Sequence, residues 1–85
     1  MKKMALNDEN DRWLQALGLH IEKLILEKGY KSAYEFWIQE IGDEISRATL
    51  NNIINGKHDV KATSLRKIAV ALKINPKEIF NFNFK

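Results

Sequence analysis

One stretch of this chain, residues 45–57, constrains the fold more than any other. Ser46 is a favourable helix N-cap, because its hydroxyl can accept a hydrogen bond from an unpaired backbone N–H of the first turn. Gly56 suits the left-handed position just past a helix C-terminus. At about 100° per residue, three aliphatic residues fall on one arc between these ends: Leu50, Ile53 and Ile54. The stretch predicts a short helix over residues 46–55 whose aliphatic side faces a core.

The opposite arc of this helix is small and rich in amides. It carries Ala48, Asn51, Asn52 and Asn55, with Arg47 at its margin. Asparagine is unexpected in a helix kept only for packing, since its amide competes for backbone hydrogen bonds. Asparagine can bond two adenine edge atoms, arginine can bond two guanine acceptors, and an alanine can contact a thymine methyl. The face favours contact with DNA bases, and an ordinary solvated helix is the alternative.

Positive charge is concentrated around the same helix. Residues 45–73 contain six basic residues against Asp59 alone, whereas the rest of the chain holds eight basic and ten acidic residues. Such an uneven distribution is the electrostatic signature expected of a phosphate-binding surface. A basic face that is merely solvated is the plainer alternative, and the coincidence with the amide-rich arc favours the binding surface.

Length and composition exclude several other classes of protein. The 85 residues allow one domain with a modest core. Because there is no cysteine, and His20 and His58 are the only histidines and lie far apart in sequence, we expect no metal, no cofactor and no enzymatic activity. The longest wholly apolar run, residues 68–72, is too short to span a bilayer, and the N-terminus lacks a secretory signal. A cytoplasmic protein without a membrane partner is therefore expected.

The first helix is predicted over residues 13–28, where apolar residues recur at i, i+3, i+4 and i+7. Gly29 ends this helix. Gly18 inside it costs about 1 kcal/mol relative to alanine, so it marks either close packing or a late helix start. The polar residues 1–12 form an N-terminal arm or an extension of the helix. Their acidic cluster, residues 7–11, offers N-caps and favourable negative charge.

Three more helices complete the predicted domain, residues 13–80. Ser32 caps a second helix over residues 33–41, and Thr63 caps a fourth that runs to about residue 73. The fourth helix buries a set of apolar residues together: Leu65, Ile68, Ala69 and Leu72. A fifth helix begins with Asn75 as N-cap, Pro76 at the first position and Glu78 at the third, and returns Ile79 and Phe80 to the core. The predicted fold is all-α and compact, with five helices.

The C-terminal tail, residues 81–85, continues an alternation of apolar and polar residues that is typical of a strand. A lone strand is not stable, so a short C-terminal strand must pair with a second chain; otherwise the tail lies along an apolar groove or is disordered. Surplus aromatic side chains here have little core left to fill. The preferred dimer interface is therefore Phe80, Phe82 and Phe84, and the Trp13–Leu17 face of the first helix is the alternative.

Residues 18–80 resemble the phage-repressor, or Cro-type, helix-turn-helix family of DNA-binding transcriptional regulators. The resemblance lies in the serine-led third helix, the Asn-Gly-Lys motif at residues 55–57, and Leu-x-Lys-Ile-Ala-x-Ala-Leu at residues 65–72. It implies a lambda-repressor-like five-helix fold, in which the second helix crosses the DNA backbone and the third enters the major groove.

The resemblance also implies roles for individual residues. The positions that contact bases in the family match Arg47, Ala48 and Asn52, with Asn51 nearby. The positions that hold phosphates match Ser46, Asn55 and Lys57. His58 either adds a phosphate contact or is a plain loop residue, and Lys31 and Ser32 match a region that often touches phosphate.

The connection between the second and third helices departs from the family pattern. The segment from Gly29 to Ser46 is about four residues longer than is common in the family, and Trp37 stands where a small residue usually lets the two helices approach. Either the second helix is lengthened and the pair re-registered, or the turn is a wider loop. Asp43 and Glu44 could cap the third helix, but they would repel a phosphate that they faced.

Together these patterns favour a sequence-specific transcriptional regulator, a repressor that binds a palindromic operator as a homodimer. The expected partners are double-stranded DNA and a second copy of the chain. An antitoxin-type domain, or another protein-interaction module of the same fold with a partner such as a toxin, is the alternative. A controller protein of a restriction–modification operon is a further possibility.

Overall fold

The computed structural model describes residues 6–57 and 60–84, with side chains from Asp8 onward. Within these residues the chain is all-helical and has no strand. Its elements are α1 (Leu6–Glu27), α2 (Ala33–Phe36) continued directly by a π-helical turn (Trp37–Ile41), α3 (Arg47–Ile54), α4 (Ala62–Leu72) and a closing 3₁₀ helix (Pro76–Phe80). None of the helices in this described part combines the length and apolar character needed to cross a membrane.

The first helix is longer than its apolar periodicity predicts. It begins at Leu6, and Asp8 and Glu9 lie in its first turn, where negative charge is favourable. The cluster of residues 7–11 therefore lies inside the helix, so its predicted role as N-caps is wrong. Residues 6–12 extend the first helix, which is one of the two alternatives given for residues 1–12. A late start at Gly18 is also wrong, because Gly18 lies near the middle of α1.

Gly18 instead marks a close approach between α1 and the C-terminal end of α3. A Cβ atom on Gly18 would overlap the carbonyl oxygen of Ile54 and lie 2.6 Å from that of Ile53. A second contact lies beside it: Gly56 has φ +64°, and a Cβ atom there would lie 2.7 Å from the Cα atom of Gln15. The backbones of the two helices thus touch at two points, and the predicted close packing is confirmed.

The core lies between α1, α3 and α4 and is closed by Phe36, Ile41 and Ile79. The predicted buried set of α4 is confirmed, since Leu65, Ile68, Ala69 and Leu72 are all buried. The helix itself starts earlier than predicted. Its N-cap is Lys61, which makes no side-chain capping bond, so the prediction of Thr63 as cap is wrong and Thr63 lies in the first turn.

The second helix occupies the predicted residues 33–41, but half of it is π-helical. Ser32 caps it as predicted: its Oγ accepts from the backbone N–H of Glu35 at 3.1 Å. The Tyr30 hydroxyl, just before the helix, donates to Glu40 Oε2 at 2.7 Å. This hydrogen bond, with smaller contributions from burial and from the Glu40 charge, raises the pKa of Tyr30. The start and the end of the helical segment are thereby joined.

The predicted fifth helix is a 3₁₀ helix, capped by Asn75, whose Oδ1 accepts from the backbone N–H of Lys77 at 2.9 Å. Ile79 reaches the core, whereas Phe80 remains 49% exposed, contrary to prediction. The residues that follow, 81–84, form no strand. Phe82 instead packs against α1, with its ring centroid 5.7 Å from that of Trp13 and 5.3 Å from that of His20. The tail therefore lies along the first helix.

The Gly18 contact predicts an unusual response to a helix-favouring substitution. Alanine is preferred over glycine in a helix by about 1 kcal/mol, yet Gly18→Ala should destabilise the fold by about 1–3 kcal/mol because the added carbon meets backbone atoms that cannot yield cheaply. Urea unfolding measures the loss. Amide hydrogen exchange should accelerate at the C-terminal end of α3 in particular.

The control is Gly29→Ala. Gly29 has φ +102° and no atom within 4 Å of the position that a Cβ would take. Its substitution adds backbone strain without a clash. Amide exchange in α3 should therefore not accelerate more than exchange in the rest of the fold. A Gly18→Ala protein as stable as the wild type would contradict the close packing.

Candidate nucleic-acid interface

The third helix is capped at both ends as the sequence predicts. Ser46 Oγ accepts from the backbone N–H of Thr49 at 3.0 Å, and the two hydroxyls share a hydrogen bond at 2.8 Å. At the other end Gly56 takes the left-handed conformation. The backbone N–H of Lys57 then donates to the carbonyl of Asn52 at 2.9 Å. The helix is therefore fixed in length, and its polar residues have fixed places on its surface.

One side of α3 is buried and the opposite side is exposed, as predicted. Leu50 is 1% exposed and Ile53 is 3% exposed, so the aliphatic side is anchored in the core. The opposite side is open to solvent and carries the predicted base-contacting residues, all exposed: Arg47, Ala48, Asn51 and Asn52. We call these four residues, with Asn55, the amide face.

The predicted phosphate-contacting residues lie at the ends of the helices. Ser46 stands before α3, and Asn55 and Lys57 follow it, all three exposed. Ser32, at the start of α2, is half-buried, and its Oγ is occupied by the cap of α2. His58 lies outside the described residues.

Glu44, in the acidic connection before α3, is paired with a lysine of α4. Lys67 Nζ lies 4.0 Å from Glu44 Oε1 and donates to the Glu44 carbonyl at 3.3 Å. Because Ser46 forms the cap of α3, the prediction that Asp43 or Glu44 caps this helix is wrong. The charges of Glu44 and Lys67 partly cancel each other. A nearby phosphate would therefore meet less repulsion from Glu44 and less attraction from Lys67.

A polar groove of about 480 Å³ separates the start of α3 from the start of α4. Its lining includes Ser46, Thr49, Asn52, Lys61, Thr63 and Lys67. Asn52 therefore borders both the amide face and this groove. The hydroxyl, amide and ammonium groups of this lining can bond a phosphodiester backbone. Glu44 lines the groove as well, and its carboxylate, which lies 4.0 Å from Lys67 Nζ, opposes a phosphate there.

The departure from the family pattern between helices two and three is resolved by the π-helical turn. The second helix is lengthened, and its added residues are helical rather than part of a wide loop. Trp37 lies in this turn, half-buried, and its indole N–H donates to the carbonyl of Ile45 at 2.8 Å. The large side chain thus ties the second helix to the residue that precedes the cap of α3.

Tyr34 is a residue of this region whose place the sequence did not indicate. The Cζ atom of Arg47 lies 4.5 Å from the centroid of the Tyr34 ring, and that ring stacks on Trp37 with centroids 6.1 Å apart. In the sequence Tyr34 is merely a candidate apolar position of the second helix. The spacing of Tyr34 and Trp37, three residues apart on a helix, was the one available signal that they meet.

The two candidate dimer surfaces adjoin, because the rings of Phe80 and Phe82 pack against Trp13. Phe80 stacks on Trp13, with centroids 6.2 Å apart. Phe84 is 40% exposed, and the Arg12 guanidinium lies over its ring at 5.7 Å. Leu17, named with Trp13 in the alternative surface, is 1% exposed and belongs to the core. We call Trp13, Phe80, Phe82 and Phe84 the aromatic surface.

A short second helix followed by a capped third helix with an open polar side is the arrangement of a helix-turn-helix DNA-binding module. A family model described as the Cro/C1-type HTH DNA-binding domain matches residues 20–85. The match covers most of the chain, and the protein belongs to the Cro/C1-type helix-turn-helix family. A search of curated proteins found no match, and neither did a search of solved structures.

Proposed function

We propose that this protein is a sequence-specific transcriptional regulator that represses by binding a palindromic operator as a dimer. The observation that supports this most directly is the open amide face of α3, opposite a side whose Leu50 and Ile53 are buried. Membership of a DNA-binding family supports DNA as the partner, and we assign it to that face. A helix of eight residues held in this way can enter the major groove as a rigid element.

Base recognition is assigned to the first turns of α3. Arg47, at the first helical position, can donate two hydrogen bonds to the acceptors of a guanine. Asn51 and Asn52 can each bond the edge of an adenine, and Ala48 permits close approach or contacts a thymine methyl. All four side chains are exposed, so no rearrangement of the core is needed.

Phosphate contacts are assigned to the ends of the helices. Lys57 and Asn55 flank the C-terminal end of α3, and Ser46 lies at its start. Ser32 is assigned from its position at the start of the second helix, and its hydroxyl, which accepts from the backbone N–H of Glu35, still has a hydrogen to donate. His58 is retained as a phosphate contact from its position after Lys57. These contacts orient the protein on DNA without selecting a sequence.

Dimerisation is expected because one short helix buries too little surface for tight and specific binding. The aromatic surface is the proposed interface, since Phe80 and Phe84 remain 49% and 40% exposed although each contacts a residue of α1. A second copy is the proposed occupant. An antitoxin-type role, with a toxin on this surface, or a controller role in a restriction–modification operon would use the same amide face.

Selection from random duplexes tests the function. The wild-type protein should enrich a palindrome, with two half-sites about 34 Å apart. Arg47→Ala or Asn52→Ala should cost about 1–3 kcal/mol for each lost pair of base contacts and relax one position of each half-site. Gln39→Ala, which alters an exposed amide outside both the amide face and the aromatic surface, is the control and should leave the enriched sequence unchanged. No enriched sequence at low salt would contradict a sequence-specific regulator.

Lys57 should show the behaviour of a phosphate contact. Lys57→Gln should weaken binding to all duplexes alike and reduce the slope of log affinity against log salt by about one unit per protomer. Lys77→Gln is the matched control, because Lys77 is exposed on the 3₁₀ helix, which packs on α1 and α4. An unchanged slope in the Lys57 variant would exclude its phosphate contact.

The dimer is tested by sedimentation equilibrium in the absence of DNA. Phe80→Ser and Phe84→Ser should shift the protein towards monomer, because each removes exposed aromatic area from the interface. Val70→Ser, on α4, is the control and is also largely exposed, at 57%. A wild-type protein that is monomeric at all concentrations, or variants that still dimerise fully, would favour a different protein on the aromatic surface or a different interface.

A further inference from the structure

The start of α3 carries a stack of three side chains that base and phosphate contacts do not explain. The Arg47 guanidinium lies over the Tyr34 ring, at 4.5 Å from its centroid. Tyr34 stacks on Trp37 with the ring planes 26° from parallel. Trp37 is held by its hydrogen bond to the Ile45 carbonyl. The stack therefore connects the second helix to the first residue of α3 and is anchored two residues before it.

The contact with Tyr34 leaves the N–H donors of Arg47 without an oxygen or nitrogen acceptor. The Cζ atom of Arg47 lies over the ring, and this attraction is between the positive charge and the π face. In the part of the chain that the structure describes, the Arg47 side chain has this ring contact and makes no hydrogen bond or ion pair. The side chain is exposed. Tyr34 thus restricts Arg47 without competing for the donors that a base requires.

This restriction has a consequence for binding. A free arginine at the exposed start of a helix samples many rotamers, and the freedom is lost when its donors pair with a base. A contact already made in the free protein removes part of that loss from the binding step. Because Arg47 is one of the proposed base contacts, the gain would fall on one operator position rather than on DNA affinity in general.

We propose that Tyr34 is a positioning residue that holds Arg47 for contact with a guanine and so sets how strongly that operator position is discriminated. The partner group is the O6 and N7 edge of guanine, which accepts two hydrogen bonds from arginine. The inference rests on the proposed function, because it requires α3 to contact bases. It assigns no base contact to Tyr34 itself.

Two substitutions distinguish the contribution of the aromatic ring of Tyr34 from that of its apolar bulk. Tyr34→Phe keeps the aromatic face, and Tyr34→Leu keeps an apolar side chain without one. On the duplex enriched by the wild-type protein, Tyr34→Leu should lower affinity about two- to fivefold for each half-site engaged. Tyr34→Phe should keep the affinity of the wild type. The discrimination against replacement of one guanine should fall by the same factor in the Leu variant. The salt slope should not change.

A double-mutant cycle with Arg47→Ala tests whether Tyr34 acts through Arg47. In the Arg47→Ala background, Tyr34→Leu should have no further effect on affinity. An equal loss in both backgrounds would overturn the positioning role and indicate that Tyr34 contacts DNA directly. Since Tyr34 is 44% exposed, all variants should keep near-wild-type urea unfolding, and the Phe variant remains informative if the Leu variant does not fold.

A measurement on the free protein separates failure of this inference from failure of the proposed function. The side-chain protons of Arg47 should show upfield ring-current shifts in NMR spectra of the wild type and of Tyr34→Phe, and these should disappear in Tyr34→Leu. Absence of the shifts in the wild type, with a guanine-dependent operator intact, overturns the inference alone. A wild-type protein with no sequence preference overturns both.

Discussion

The backbone contact between α1 and the C-terminal end of α3 is the constraint on which the remaining structure depends. Gly18 admits the carbonyl groups of Ile53 and Ile54, and Gly56 admits the backbone of Gln15. Backbone atoms cannot move aside as a side chain can, so the last turn of α3 is fixed in distance and rotation. With Leu50 and Ile53 directed into the core, the amide face has one orientation available, outward. A helix free to roll on its axis could not present the same residues each time.

The first turn of α3 is held by different means, through side chains. Trp37 donates to the Ile45 carbonyl, Ser46 caps the helix, and Lys67 holds Glu44 from α4. The pair of Lys67 and Glu44 is exposed and adds little energy by itself. The third helix is thus held by backbone contact at its end and by side chains at its start, where the proposed base contacts lie.

Sequence reasoning succeeded where the determinants are local and failed where they are tertiary. Ser46 and Gly56 bound α3, and periodicity identified the buried residues of α4, because caps and amphipathic spacing are properties of neighbouring residues. The sequence left open whether residues 1–12 form an arm or extend the first helix, because no apolar period marks these turns, and α1 starts at Leu6. Lys61 begins α4 without a side-chain cap, and the contact of Arg47 with Tyr34 depends on how the π-helical turn places the second helix. The amide face could therefore be predicted, and the support beneath Arg47 could not.

The lengthened connection between the second and third helices includes the residues that place Tyr34 beside Arg47. Trp37 lies in the π-helical turn, a feature often found at functional sites, and the turn keeps residues 37–41 helical. The Trp37 ring stacks on Tyr34, and the Tyr34 ring reaches the first residue of α3. The residues of the lengthened connection thus determine the surroundings of Arg47, one of the proposed base contacts.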